Sequence, residues 1–350
     1  VFRFVPPRGS RKVGQGLSRL LKTTTRVNAD AVRQGGQVAS EVARKAARKA
    51  VEAVKARTEP APHAPPGRFV EVDGVRVHVI VHGQGRPVVL IHGNGTMAED
   101  WVISGVVERL ARSYRVIAID RPGFGHSERP RHRVWTAAAQ ARLLHGVLGK
   151  LSVERPVLVG HSWGTLVALA LAAQGQDDLR GLVLLSGYYY PTRRADVGLI
   201  APLAVPGLGD AARAMTPDSV GRLLAPGVFR HVFSPQPVPA RFTARFPVAV
   251  AVHPRQARAS AEDTATMTTA AALLQPHYPR LRLPVAILSG DADAVVDPRE
   301  QSCRLHGEVA GSTLTLLPGK GHMIHYGAAA RIARVVDGQM ALTGRALRWQ

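Results

Sequence analysis

The chain has 350 residues, 45% of them hydrophobic, and its 46 Lys and Arg against 25 Asp and Glu give a formal net charge of +21. That apolar fraction excludes a disordered chain, and the length suits one large domain with an insertion. A single cysteine, Cys303, excludes an internal disulfide framework and is expected to sit buried or half-buried in a helix.

The N-terminal stretch is a separate material. Residues 1–60 hold fourteen Arg and Lys against four Asp and Glu, close to half of the chain's excess charge. From Gln37 to Lys55, Val38, Val42, Ala46, Ala50 and Val54 fall on one side of a helix and Arg44, Arg48 and Lys55 cluster on another. An alanine and valine face buries little area, so it inserts weakly into a bilayer. The charge of residues 1–57 suits an anionic membrane surface, or simply a solvated extension, while nucleic acid is not the expected partner. Thr58 to Gly67 is rich in proline and reads as a stiff linker, so residues 1–66 form one unit.

Phe69–Val72 and Val75–Val81, joined at Asp73-Gly74, alternate as an antiparallel hairpin. Short β-branched runs at 87–91, 115–119, 156–160, 181–185 and 284–289 suit parallel strands buried on both faces, and 314–317 would be the last. Helices are expected over Ala98–Arg112, Thr136–Lys150, Trp163–Gln174, Pro298–Ala310 and Ala328–Leu342. The rhythm breaks between Tyr188 and about Arg280, which is too long for a simple connection and rich in proline. The domain reading is therefore a core over 67–187 and 281–350 with an insertion over 188–280.

Nothing in the chain spans a membrane: Val197 to Leu208 is broken by Pro202 and Pro206 and falls short of the ~20 residues required. The N-terminus lacks an apolar run followed by a small-residue cleavage site. A cytoplasmic protein with a solvated basic extension is the expectation, and docking of that extension on a membrane surface is the alternative.

Gly160-His161-Ser162-Trp163-Gly164 lies between the apolar runs Val157-Leu158-Val159 and Leu166 to Ala172. A serine between two spaced glycines, after a strand and before a helix, is the pattern of a nucleophile elbow, a turn too tight for side chains at Gly160 and Gly164. Ser162 would stand exposed at the sheet edge in a strained conformation. Three further motifs accompany it: Pro87 to Ile91 ending in His92-Gly93-Asn94-Gly95, then Asp120-Arg121-Pro122-Gly123-Phe124-Gly125-His126-Ser127, and finally Gly290-Asp291-Ala292-Asp293 with Gly319-Lys320-Gly321-His322.

With these motifs the chain resembles the α/β-hydrolase family from about Arg68 to its last helix. The resemblance implies a mostly parallel central sheet flanked by helices, with residues 188–280 as a helical cap. It also implies a triad in the order serine, acid, histidine: Ser162, Asp293 and His322. The acid lies two residues beyond Gly290-Asp291 in the family spacing, which leaves Asp291 and Asp297 as solvated loop residues or helix caps. The base follows glycine directly, which favours His322 over His325. The oxyanion hole maps to the backbone N–H groups of Asn94 and Trp163. His92, His126 and His161 are expected to be hydrogen-bonding scaffolds, and no histidine belongs to a zinc-spaced cluster.

Relatives that open epoxides or remove halide use an aspartate nucleophile, so Ser162 argues against both. Hydrolysis of a small or medium carboxylic ester or related acyl bond, with a small apolar acyl or ester substrate and without cofactor or metal, is the broadest reading. A C–C bond hydrolase or cofactor-free perhydrolase on the same scaffold, and a non-catalytic binding member, are its alternatives. Met215, Leu223, Leu224, Phe229, Phe233, Phe242 and Phe246 in the cap either line a pocket above Ser162 or form the cap's own small core. One of Tyr188, Tyr189 and Tyr190 is expected to reach the pocket.

Overall fold

The computed structural model describes residues 65–192, 200–215 and 218–342. The basic helix read over 37–55 and most of the linker lie outside the described residues. Eight strands form one sheet: β1 Arg68–Val72, β2 Val75–His82, β3 Pro87–Ile91, β4 Arg115–Ile119, β5 Val157–His161, β6 Gly181–Leu185, β7 Val285–Gly290 and β8 Thr313–Leu317, in the order β1-β2-β4-β3-β5-β6-β7-β8. β1 and β2 close a hairpin with Val72 opposite Val75, and Asp73 and Gly74 both take positive φ (49° and 71°) as such a turn demands. β2 also pairs antiparallel with β4, while every pair from β4 through β3, β5, β6 and β7 to β8 is parallel.

The central strands are unbroken apolar runs because both of their faces are covered. Along β5, Leu158 points into one apolar layer with Ile91 and Leu184, whereas Val157 and Val159 point into the opposite layer with Leu90 and Leu185. The flanking helices are α1 Ala98–Ile103, α2 Val106–Leu110, α3 Ala137–Lys150 and α4 Gly164–Gly175. Thr136 caps α3, its hydroxyl accepting from Ala139 N–H at 3.2 Å. Helix α4 is buried from Gly164 through Ala172 and so carries almost no polar stripe.

Between β6 and β7 lie α5 Leu208–Met215, α6 Asp218–Phe233, α7 Ala240–Arg245, α8 Val248–Ala251 and the 21-residue α9 Pro254–Leu274. After β7 come α10 Arg304–Glu308 and, beyond β8, α11 His325–Ala341, the last helix of the described residues. Among the described residues no helix is long and apolar enough to cross a membrane.

Three expected helices are corrected. The helix over 98–112 is two, because Gly105 takes φ 81° and breaks it after Ser104. The one over 298–310 opens as a π-turn at Arg299–Cys303, with Cys303 half-buried, before α10. The last helix starts at His325 rather than Ala328, where the backbone kinks at φ −128°, ψ 19°.

The hairpin is pinned to the sheet through an ion pair that the sequence motifs did not point to. His78 Nδ1 meets Asp120 Oδ2 at 2.7 Å and its Nε2 meets the carbonyl of Pro66 at 2.6 Å, so both ring nitrogens face acceptors. Burial opposes the charged ring, but the Asp120 hydrogen bond and charge and the Pro66 carbonyl outweigh it and raise the His78 pKa above 6.5. A raised folded-state pKa means that folding takes up a proton. The stabilisation is complete below pH 6.5 and is lost as pH climbs through the folded value. Urea midpoints of the native protein and of His78→Gln should therefore differ most near pH 6 and converge towards pH 9. A gap that widens with pH would contradict the assignment.

Candidate active site

Strand β5 and helix α4 meet at Ser162, whose φ of 51° places a residue with a Cβ in the left-handed region. The turn is held by three hydrogen bonds to two residues. Ser162 N–H donates to Leu185 O at 2.9 Å, and Ser162 O accepts from Thr165 N–H at 3.0 Å and from the Thr165 hydroxyl at 2.7 Å. A Cβ on Gly164 would lie 2.4 Å from Ile91 O, and one on Gly160 2.9 Å from Gly164 O. The two glycines are thus a consequence of backbone crowding around the serine. Ser162 sits immediately before the first turn of α4, where the helix dipole favours negative charge.

Residues of the loops after β7 and β8 converge on the same place. His322 Nδ1–H donates to Asp293 Oδ2 at 2.8 Å, and both side chains are buried. The other oxygen, Oδ1, accepts from Val295 and Val296 N–H, each at 2.9 Å. Burial raises the Asp293 pKa, but the His322 charge and hydrogen bond and the N–H groups of Val296 and Val295 outweigh it. The net pKa lies below the ordinary carboxyl value. Neither alternative acid reaches His322. Asp291 Oδ1 accepts from Gly319 N–H at 2.6 Å, and Asp297 caps the turn that follows it by accepting from Arg299 and Glu300 N–H.

The rival histidine is occupied elsewhere. His325 Nε2 meets Asp100 Oδ2 at 2.9 Å, Tyr326 donates its hydroxyl to Asp100 Oδ1 at 2.6 Å, and His325 is fully buried. Between the two rings lies His161, 4.9 Å from the His322 centroid and 4.5 Å from that of His325. Burial, then the neighbouring His325 and His322, hold the His161 pKa well below 6.5. The ring is therefore neutral, and its Nε2–H donates to His322 O at 3.1 Å. His161 is the scaffold the sequence suggested; the Asp100 partner of His325 carried no sequence signal.

The loop after β3 supplies Asn94. Its N–H and that of Trp163 are taken by no acceptor among the described residues. The Asn94 side chain is tethered instead: Nδ2 donates to Thr264 Oγ1 at 2.9 Å and to Ser260 O at 3.2 Å, both on α9. His92 Nε2 accepts from Arg121 N–H at 2.9 Å, so its proton is on Nδ1, which donates to Gly93 O at 2.8 Å. Burial, reinforced by the Arg121 charge, pushes the His92 pKa down to about 3 and keeps it in that neutral form.

Ser162, His322, Asn94 and Trp163 line one cavity of about 170 Å³, and its remaining wall is mostly apolar, with Thr96, His161, Tyr188 and Thr264 as its polar members. Phe229, Phe242 and Phe246 contribute to that wall and also pack in one cluster with Phe233, Met97, Ile103 and Tyr326, where Phe233 does not reach the cavity. Met215, Leu223 and Leu224, expected either in the pocket or in the core of the insertion, are in neither; they are 84%, 79% and 61% exposed. Of the three tyrosines Tyr188 reaches the cavity, and Tyr189 and Tyr190 are buried against Gln301, whose side-chain oxygen accepts from both of their N–H groups. Among the described residues no group of three His, Cys, Asp or Glu could hold a metal ion.

Such an arrangement provides a strained hydroxyl, an imidazole oriented by a carboxylate, and two open backbone donors beside a helix N-terminus, all facing a mostly apolar space. Residues 86–329 match the family model described as alpha/beta hydrolase fold. An uncharacterized protein of Mycobacterium tuberculosis is 30% identical over 292 residues, covering 80% of this chain and 83% of that one. The 2-hydroxymuconate semialdehyde hydrolase of Pseudomonas sp. (strain CF600) is 38% identical over 128 residues, 36% of this chain and 45% of that one. Among solved structures, the enol-lactonase of Burkholderia xenovorans LB400 superposes with a TM-score of 0.63 at 23% identity, covering 78% of this chain and 99% of that one.

Proposed function

Because the chain belongs to the alpha/beta hydrolase fold family, we propose that it is a serine hydrolase that cleaves a small carboxylic ester through an acyl-enzyme. The observation that carries this reading is that His322, held by the buried Asp293, lines the same mostly apolar cavity as Ser162 in its left-handed turn. Ser162 Oγ forms a bond to the substrate carbonyl carbon as its proton passes to His322 Nε2, and the carbonyl oxygen takes up the negative charge. The N–H groups of Asn94 and Trp163 stabilise that charge. When the tetrahedral adduct collapses, His322 gives the proton to the departing alkoxide. Water then repeats the sequence with His322 as base and frees the acid. Asp293 keeps the proton on Nδ1 and stabilises the imidazolium.

The cavity's size argues for a short acyl group. At about 170 Å³ it falls below the 300–1,000 Å³ typical of sites for drug-sized ligands. A second reading, cleavage of a C–C bond next to a carbonyl, is favoured by the likeness to the semialdehyde hydrolase. Purified protein offered aryl esters, lactones, prolyl amides and β-diketones separates the two. Turnover of esters with none of the diketones supports the ester reading, and the reverse order of rates would overturn it.

All of the proposed machinery lies between Asn94 and His322, so removal of residues 1–64 should leave turnover of a soluble ester near its starting value. The cut spares Pro66, whose carbonyl holds His78. The basic extension is proposed to meet anionic membrane surfaces. Full-length protein should then sediment with acidic liposomes and release as salt approaches several hundred millimolar, where the Debye length is a few ångströms. Equal sedimentation of the shortened chain would rule that role out.

A further inference from the structure

One face of α9 grips the loop that carries Asn94. Gln256, Ser260, Asp263 and Thr264 recur at helical spacing and so share that face. Gln256 Nε2 donates to Gly95 O at 3.3 Å, and Ser260 O and Thr264 Oγ1 accept from the Asn94 side chain. Asp263 is fully buried and is the hub. One carboxylate oxygen takes Arg121 Nη1, the other takes Arg129 Nη2 at 3.0 Å and Gln140 Nε2 at 3.1 Å, and its backbone carbonyl accepts from Trp163 Nε1 at 3.0 Å.

Arg121 relays this grip to two consecutive peptide planes, His92–Gly93 and Gly93–Asn94. Its Nε donates to His92 O at 3.0 Å and its Nη2 to Gly93 O at 2.9 Å. Gly93 O also receives His92 Nδ1–H at 2.8 Å. In a planar trans peptide the carbonyl of Gly93 and the N–H of Asn94 point in opposite directions. Every donor on Gly93 O therefore fixes the heading of the Asn94 N–H away from Arg121. Turning the plane over would abandon these bonds in a buried setting and aim a carbonyl where the N–H should be.

We infer that Asp263 is a positioning residue for the oxyanion hole: through Arg121 it holds the Gly93–Asn94 peptide in the donating orientation, and through the Trp163 indole it steadies the second donor. The cap helix thus builds part of the catalytic apparatus as well as a wall of the pocket. This inference rests on the serine hydrolase reading above. A hub placed at α9 also means that the hole is complete only while α9 is seated on the core.

The test compares Asp263→Asn with Glu262→Gln on the native full-length chain. Glu262 is a neighbour on α9 whose carboxylate takes Arg129 Nε at 2.6 Å but touches neither Arg121 nor the Gly93 carbonyl. Asp263→Asn should lower kcat by about 10- to 100-fold, less than the roughly 10²- to 10³-fold cost of removing an oxyanion donor outright, because the donor stays and only its orientation loosens. KM should stay within about threefold, because the hole acts in the transition state and hardly at all in the ground state. Affinity for phenylboronic acid, whose serine adduct places an oxygen in the hole, should fall by the same factor as kcat/KM. Glu262→Gln should keep both values within about twofold, even where its melting temperature drops.

A folded Asp263→Asn with native kcat overturns the inference, and so does an equal loss in Glu262→Gln, which would mean that any loosening of α9 is felt. Should Asp263→Asn fail to fold, Arg121→Lys decides. It keeps a positive charge facing Asp263 but removes the paired guanidinium donors to His92 O and Gly93 O, and should cost about tenfold or more in kcat with a parallel loss of boronate affinity. Unchanged boronate binding in a folded Arg121→Lys overturns the inference. If the native protein is not labelled at Ser162 by a fluorophosphonate, the hydrolase reading itself has failed.

Discussion

Ser162→Ala is expected to lower kcat on a soluble aryl ester by about 10⁴-fold or more, with little change in KM or in the urea midpoint. The scale follows from what remains without the hydroxyl: a cavity, two backbone donors and an imidazole, which retain only about 10³- to 10⁴-fold of the acceleration over water. The fold should tolerate the change because the turn is held by backbone bonds from Leu185 and Thr165 and by crowding at Gly160 and Gly164, none of which uses the serine oxygen. Alanine keeps the Cβ, so the left-handed φ of 51° is no more costly than before. A fluorophosphonate should label the native protein at Ser162 alone, read by peptide mass spectrometry, and should not label the alanine variant. Full activity in Ser162→Ala, or labelling of another serine, would remove the residue from the mechanism.

What could be read from the sequence and what could not divide along a physical line. Strands β3 to β7 were legible to within a residue because a strand covered on both faces must be a short unbroken apolar run, and the chain has such runs at regular intervals. The turn at Ser162 and the loop holding Asn94 were legible because glycine spacing reports backbone crowding locally. Helix interruptions were less so. Gly105 costs a helix only about 1 kcal/mol by propensity, and nothing nearby says that it will take positive φ.

The partners of the motif residues stayed hidden for a different reason. Arg121 lies in a motif that the sequence displays, yet its carboxylate partner Asp263 is 142 positions away in a proline-rich, aperiodic insertion. Asp100 lies 225 positions from His325. Pairing at such separations is decided by how α9 and α11 pack, and a single sequence gives no periodicity that fixes it. The same limit explains Met215, Leu223 and Leu224: apolar composition alone does not tell a residue that faces a cavity from one that faces out.

Asp293→Asn should be nearly as damaging as loss of the serine, with kcat down by about 10⁴-fold, while Asp291→Asn and Asp297→Asn stay within about threefold. An amide at position 293 can still accept from Val295 and Val296 N–H through its oxygen, so the loop should hold. Its NH₂ group then faces His322 Nδ1, which must turn acceptor, and the ring proton moves to Nε2, where it cannot take one from Ser162. The carboxylate also stabilises the imidazolium that forms during attack, and an amide cannot. Asp291 and Asp297 make only backbone bonds, to Gly319 in one case and to Arg299 and Glu300 in the other, so their loss frays a loop without touching the imidazole. A folded Asp297→Asn more damaged than Asp293→Asn, in kcat at constant urea midpoint, would move the acid of the mechanism to position 297 and with it the orientation of His322.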